Sequence, residues 1–495
     1  MVLRPLPSLR ALPRFCNPPN RVTGGVYDVL PISIFGYCSF GGLVVRARAW
    51  IVSVTQEMST KELKRLGVDH ADVIGIVKDS DGHSILAVDI KKEEDGNEKK
   101  DAMPTARTIR LEAEPSADFL EAYKPRGLAK LNAQPDDSSP NVHVVVSVVS
   151  GTKLALPFYS NLLNLVLTSL SLVVDVDYSV HYTRSANTIT ELTQSTFLPV
   201  ANEGFKQRII LLSGDGGVVD VINALLSGER SPKYTPPEIA IIPMGTGNAL
   251  AHSIGITKDN TYGLSTLARG TPKPLPLFKT TFSRGARLLV DEGNNAEELP
   301  LKDDRGNPVV YGAVVTSWGL HAGLVADSDT TEYRRYGVQR FQMAAKEALY
   351  PADGGLPHAY KGKVSILRSD GSWEPLERTE HAYVLATLVS SLEKEFTISP
   401  ASTPLSGKLR LVHFGPMAGD EVMRVLTLAY QNGKHVEEPA VGYEDIEGLK
   451  IEFEEEEGRW RRVCVDGKIV RVEKGGWVEV RKESERVLDV ITLDE

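Results

Sequence analysis

Cysteine is scarce in this sequence: three in 495 residues, at Cys16, Cys38 and Cys464. They form no disulfide framework and no zinc-ligand spacing, which suits a reducing compartment. A membrane-spanning run is missing as well. The most apolar stretch, LLNLVLTSLSLVV at 162–174, is too short to span and carries Asn164, Thr168 and Ser169. It reads as a core helix entering a strand. Positive charge is not in excess either. The formal net charge is −9, so the chain as a whole offers no electrostatic case for nucleic acid. Finally, no glycine turn has the form G-x-G-x-x-G, and no G-K-[ST] occurs. That disfavours a standard dinucleotide fold or a P-loop.

What remains is an ordinary soluble composition with ample length for a core. Length alone suggests about three domains, or two large ones. The most informative stretch is RIILLSGDGGVVDVINALLSGE, 208–229. Residues 209–212 form a continuous apolar run, as in a strand covered on both faces. Val218, Val221, Ile222 and Leu225 then recur with helical spacing. Ser213, Gly214, Asp215, Gly216 and Gly217 therefore form a strand-to-helix turn. Such a turn points N–H groups and a helix dipole at a ligand, which favours phosphate. A carboxylate is the wrong group to bind phosphate. Asp215 is then a base, a group that handles a metal ion, or simply a helix cap. The stretch EIAIIPMGTGNALAHSIG, 238–255, repeats the design with Gly245, Thr246 and Gly247 in its turn. Two such units in succession suggest one nucleotide site at the carboxyl edge of a parallel sheet.

Around this unit the chain divides by composition. Residues 1–57 carry four arginines before the first acid, Asp28, but several prolines interrupt any amphipathic helix. They read as a poorly ordered extension, with mitochondrial targeting as the alternative. Residues 58–133 hold three strand-like runs and a short helix with Ser116 as N-cap, a small β-rich module. AQPDDSSPN, 133–141, is a linker. Residues 142–271 alternate strand and helix patterns, an α/β layer with a largely parallel sheet. Beyond the prolines of 269–279, residues 277–485 are dominated by strand patterns with one helix near Asp420. This predicts an antiparallel β-sandwich domain. The acidic run at 454–457 reads as a solvated hairpin tip rather than a metal site.

SGDGGVVDVINAL and IIPMGTGNALA resemble the two nucleotide motifs of the diacylglycerol kinase catalytic family, in particular its sphingosine and ceramide kinase branch. SWGLHAGLVADSDTTEYRRYGVQRF, 317–341, resembles the lipid-kinase segment that follows, and VCVDGK, 463–468, its C-terminal Val-Asp-Gly-Glu motif. The motifs keep the family's order over residues 142–481. The resemblance implies an active site in a cleft between an α/β domain and a β-sandwich domain, with ATP and Mg2+ as cofactors and a lipid hydroxyl as acceptor. It makes Asp215 the catalytic base. It assigns nucleotide contacts to Ser150, Gly151, Thr183, Asn187, Ser213, Gly214, Gly216, Gly217, Asp220, Gly245, Thr246, Gly247, Asp466 and Gly467. Arg334 and Arg340 resemble arginines that reach ATP phosphates, a task that suits guanidinium forks. Asp329 resembles the carboxylate that holds the lipid headgroup. Its interval to Arg334 is short for the family, so Asp327 is the alternative. His321 reads as a packed residue.

Three departures stand out. The opening Asn-Pro-x-Ser-Gly turn is SVVSG here, Asp220 stands where Glu is usual, and Lys468 replaces the motif's Glu. The expectation is an ATP-dependent kinase of a sphingoid base, cytoplasmic and peripherally bound to membranes. The 58–133 module would dock lipid or membrane by fold-level analogy. The alternatives are a diacylglycerol or ceramide kinase, or a nucleotide- and lipid-binding regulator that has lost catalysis. Nothing in the sequence indicates an oligomeric state.

Overall fold

The computed structural model describes residues 63–89, 103–126, 141–148, 151, 153–337 and 339–494. The extension at 1–57, the charged run after Ile90, Ser150 and most of the linker lie outside the described residues. The described residues all belong to one compact unit.

The apolar runs 209–212 and 239–242 occupy the middle of a six-stranded sheet, in strands Arg208–Ser213 and Glu238–Pro243. Across the sheet the order is Ser179–Tyr182, Val142–Val146, Arg208–Ser213, Glu238–Pro243, Asp489–Thr492 and Thr271–Pro274. The first five run parallel, and Thr271–Pro274 pairs antiparallel at the edge. One strand thus comes from the extreme C-terminal part of the sequence, beyond the sandwich pattern that ends at 485. Val490 and Ile491 are fully buried there. The chain leaves this layer, builds the sandwich and returns to complete the sheet.

The sandwich consists of two antiparallel eight-stranded sheets. Trp318, Phe278, Phe282, Ile366, Ile451 and Val463 fill the space between them. The run YGAVVTSWG divides into Pro308–Gly312 in one sheet and Val315–Gly319 in the other, so Ala313 and Val314 turn the corner between sheets. The helix near Asp420 is Gly419–Ala429. Three more, Leu320–Ser328, Thr331–Arg334 and Gln339–Leu349, were not legible from a hydrophobic stripe. Ala322, Ser328, Ala344 and Ala345 are among the residues they bury, and these are small.

Two other local expectations differ. The segment after the helix at 164–169 forms only an isolated bridge from Val174 to Tyr178, and Val173, Val174 and Val176 remain exposed. Asp177 accepts the Val173 N–H and curls this loop away from a strand path. In the acidic run, Glu455 is buried, because the N–H of Lys361 and the ring of His358 each meet it at 2.8 Å.

The N-terminal module is a three-stranded antiparallel sheet, Val73–Asp79, Gly82–Asp89 and Thr105–Arg110, with the helix Ala117–Tyr123 capped by Ser116. Ile74, Leu86 and Val88 join the core of the α/β layer. Val73, Ile76, Ile85 and Ala87 pack with Leu63, Phe119 and Tyr123. Both faces of the sheet are therefore occupied. No described helix is long and apolar enough to cross a membrane.

A single apolar cluster runs from the α/β layer into the sandwich. It includes Leu211, Leu225 and Leu250 on one side and Ala313, Val314, Leu385 and Val389 on the other. The floor between the two layers is thus a continuous core. Ile491→Ala should cost about 2–5 kcal/mol, the range for truncating a buried Ile, and lower the stability of the whole unit in one denaturant transition. Loss of less than about 0.5 kcal/mol on the same scale would mean that the returning strand is not integral to the sheet.

Candidate active site

Parallel neighbours end at the same edge, so the turns after Arg208–Ser213 and Glu238–Pro243 lie side by side. They are interlocked. A Cβ on Gly245 would lie 2.5 Å from the Cα of Gly214, and one on Gly151 would lie 2.4 Å from the carbonyl oxygen of Met244. Asn248, left-handed at φ 52°, brackets Gly245 from the other side. Its Oδ1 accepts the Gly245 N–H and its Nδ2 donates to the Gly245 carbonyl, both at 2.9 Å. Gly217 packs on Ser213, where a Cβ would meet Oγ at 2.6 Å. Gly247 lies against the carbonyl of Leu392, with Thr246 half-buried beside it. Gly216 is different: a Cβ there would meet nothing within 4 Å. Open space therefore stands over the first turn of Asp215–Ser227, as close approach by a phosphate requires.

Asp215 begins that helix and does not cap it. Its N-cap is Gly214, without a side-chain bond. The carboxylate instead accepts the N–H groups of Ala249 at 2.8 Å and Leu250 at 3.0 Å, at the start of the neighbouring helix Ala249–Ser253. Asp215 thus ties one glycine turn to the other. Burial raises its pKa above the usual carboxylate value, while the backbone N–H groups pull it down. A carboxylate has about four lone-pair sites, so two N–H contacts leave room for a proton.

Asp466 lies within electrostatic reach of it. Burial pushes this carboxyl up to about 7, opposed by backbone N–H donors and reinforced by the charge of Asp215. Asp466 sits at φ 46°, ahead of Gly467 at φ 89°. Its oxygens accept the N–H groups of Ala313 (2.6 Å), Val314 (3.1 Å) and Val315 (2.6 Å), at the corner between the two sheets. Both oxygens are engaged by backbone, so Asp466 holds that corner.

The helix Asp215–Ser227 reaches the sandwich through two further contacts. Lys468 Nζ lies 2.6 Å from Asp220 Oδ1. Asn223 donates to the carbonyl of Tyr311 at 2.9 Å and accepts its N–H at 3.0 Å. The Asn223 amide closes the join between layers. Thr183 accepts the Val148 N–H at 3.0 Å and so steadies the end of Val142–Val146. Asn187 is exposed at the start of Thr188–Leu192.

The two candidate headgroup carboxylates fall on different partners. Asp329 takes Arg334 in a two-point grip at 3.0 and 2.9 Å, and Arg340 at 3.2 Å. Asp327 takes Arg462 at 2.7 Å and Arg459 at 3.1 Å. Asp327 also lines a cavity of about 410 Å³ with Leu320, Gly323, Tyr360, Val422 and Trp460. Asp329 is the one that keeps company with the motif turn. Buried Cys464 is pushed up to about 12, first by burial, with the charges of Asp466 and Asp329 adding to it. His321 is packed inside, its Nδ1 2.7 Å from Ser317 Oγ. Among the described residues no group of three or more His, Cys, Asp or Glu could hold a metal ion.

Residues 141–280 match the diacylglycerol kinase catalytic domain. The chain is similar to lipid kinases built on this domain. It is similar to human Sphingosine kinase 1, at 22% identity over 332 residues covering 60% of this chain and 78% of that protein. Sphingosine kinase B of Dictyostelium discoideum is 42% identical over 78 residues, 14% of this chain and 10% of that protein. A diacylglycerol kinase crystal structure from Bacillus anthracis overlaps 72% of this chain and 98% of its own, at 14% identity and a TM-score of 0.41.

The interlock separates two glycines of this protein. Gly245→Ala should lose about 1–3 kcal/mol, as overpacking does, because its methyl meets backbone. Gly216→Ala should be neutral or slightly stabilising, since its methyl enters open space and Ala favours helix. Thermal unfolding of the two variants tests this. Equal shifts would mean that the two turns are not locked together.

Proposed function

We propose that this protein transfers the γ-phosphate of ATP to the hydroxyl of a lipid, with a sphingoid base as acceptor. The placement of Asp215 carries the reading: a buried carboxylate where two glycine turns meet, beside open space at Gly216. In this mechanism Asp215 takes the proton of the lipid hydroxyl. The hydroxyl oxygen bonds to phosphorus as the bond to the ADP oxygen breaks. Transfer of this kind needs positioning and charge stabilisation more than covalent help from the protein. The residues present fit a nucleotide: Gly216 leaves space, and Arg340 has a buried Nε without a hydrogen-bond partner. Mg2+ would come with the phosphates, which commonly supply its ligands together with water and one or two carboxylates.

The similarity to sphingosine kinases supports the sphingoid acceptor, and the apolar cavity beside Asp327 suits an alkyl chain. One observation favours the uncharged alternatives, diacylglycerol or ceramide: Asp327 and Asp329 are each already held by two arginines. A lipid acceptor places the reaction at a membrane surface, so peripheral membrane contact on the cytoplasmic side is part of the reading.

Labelled ATP offered with sphingoid bases, ceramide and diacylglycerol in mixed micelles tests the function directly. Asp215→Asn should lower turnover by about 10²–10⁴-fold, the usual scale for a general base, with folding and nucleotide affinity kept. Near-normal turnover would reduce Asp215 to its structural bond. Since Asp215 must be ionised to accept the proton and burial raises its pKa, activity should fall with decreasing pH above the ordinary carboxylate range. An acid limb at or below that range would contradict the assignment. Gly216→Asp should abolish nucleotide binding by calorimetry, because its carboxylate fills the open space and repels phosphate; unchanged affinity would remove this turn from the site.

A further inference from the structure

The six-stranded sheet has two edges, and they are built differently. Thr271–Pro274 closes one side, with Pro272 and Pro274 flanking Lys273. Proline has no N–H to offer and lysine resists burial, so this edge rejects a further strand. Ser179–Tyr182 forms the other edge and contains neither residue. Among the described residues its ladder partner is Val142–Val146 alone. Thr183, the next residue, donates its N–H to the Val146 carbonyl. Alternation along an extended chain then directs His181 and Ser179 to the same neighbour. It turns the N–H and C=O groups of Val180 and Tyr182 to the open side. Such a row of backbone groups is a template for another strand.

The surface beside this edge is apolar. More than half of the large apolar side chains exposed among the described residues lie between 154 and 182. Val173, Val174 and Val176 stand at the turn that leads into the strand, and Tyr182 at its end. Leu165 is exposed on the helix Asn164–Ser169, whose Val166 and Leu167 pack on the sheet. Apolar side chains concentrated on one flank mark an interaction surface, whereas single ones scattered over a protein do not.

Charge decides which chain fits. Asp175 is exposed on the turn before the strand, and Arg184 is exposed just after it. Neither side chain forms an ion pair among the described residues. A second copy laid parallel along this edge would bring like charges together. Laid antiparallel, it would set Asp175 of each copy towards Arg184 of the other, twice by symmetry. The edge is thus complementary to itself in one direction only.

We infer that two copies of this chain join along Ser179–Tyr182, antiparallel about a two-fold axis. The two six-stranded sheets become one, and the apolar flanks cover each other. The inference goes beyond the proposed function and holds whatever the acceptor. Because the glycine turns lie at the carboxyl edge of each sheet, the pair carries its two clefts at opposite ends of the joined sheet.

Sedimentation velocity of the full chain over a concentration series reads the association. Wild type should pass from monomer to dimer, and added salt should weaken the dimer. Tyr182→Pro removes one N–H on the open side and no bond to Val142–Val146. It should fold, as thermal unfolding would show, and stay monomeric where wild type is dimeric. Arg184→Glu should raise the dimer Kd about 2- to 30-fold, the range for losing two exposed ion pairs. Adding Asp175→Lys to it restores opposite signs and should recover wild-type association; the backbone at 175 is left-handed, as it is at Lys153. Wild type that stays monomeric overturns the inference. So does a dimer that persists unchanged in Tyr182→Pro, or a double variant no tighter than Arg184→Glu alone. A monomer that sediments with phosphatidylcholine vesicles, and loses them on Val176→Asp, would give the flank to a membrane and overturn the second copy as its occupant.

Discussion

The carboxylate of Asp215, part-buried and held by the N–H groups of Ala249 and Leu250, is the contact on which the cleft depends. Burying a charge costs several kcal/mol unless hydrogen bonds offset it, and here the donors are free N–H groups at a helix start. The helix Ala249–Ser253 has only five residues, too short to be stable without tertiary support. The bond serves both partners: the helix gains an acceptor, and the charge gains donors. It also explains the glycines. Two turns tied by so short a bridge bring Gly214 and Gly245 into backbone contact, where no Cβ fits.

A second buried carboxylate does similar work on the opposite wall. Asp466 gathers three successive N–H groups at the point where the chain passes from one sheet of the sandwich to the other. The helix Asp215–Ser227 is then joined to the sandwich through Asn223 and Lys468. With an apolar core running beneath and a strand returning from the sandwich into the α/β sheet, the spacing between the walls is set by packing. A cleft held in this way is preorganised, which is what phosphoryl transfer by positioning requires.

Much of this was legible in the sequence, and the limit has a physical basis. A continuous apolar run followed by a helical stripe reports burial on two faces and then on one. That located both strand–turn–helix units and their glycines. Periodicity does not report partners. Asp215 could be read as a cap, but the helix it serves starts 34 residues later, after another strand. Asp466 bonds only to backbone N–H groups, which every residue type supplies, so no pattern marks its partners. Of the helices after Gly319, Thr331–Arg334 buries nothing, and the other two bury alanine and serine beside only Leu320 and Leu349. Conversely, the apolar run 162–174 was read as a helix entering a strand, and Val173 and Val174 at its end remain exposed, because local side-chain bonding turned the chain first. The strand at Asp489–Thr492 fell outside the sandwich pattern because its neighbours lie more than 200 residues earlier in sequence.

The charge arrangement of the cleft follows from the same economy. A chain of net charge −9 can attract a polyanion only where cations are concentrated locally, and Arg334 and Arg340, which share Asp329, are such a concentration. Left unpaired in a partly buried cleft, they would repel one another and raise the energy of the ligand-free fold. Asp329 removes that repulsion by short contacts to both. The arrangement also sets a threshold for occupancy. A singly charged anion offers these cations little beyond what a carboxylate already gives, whereas a polyphosphate can satisfy several at once. Discrimination between them would then come from the contacts a ligand must replace as much as from those it makes.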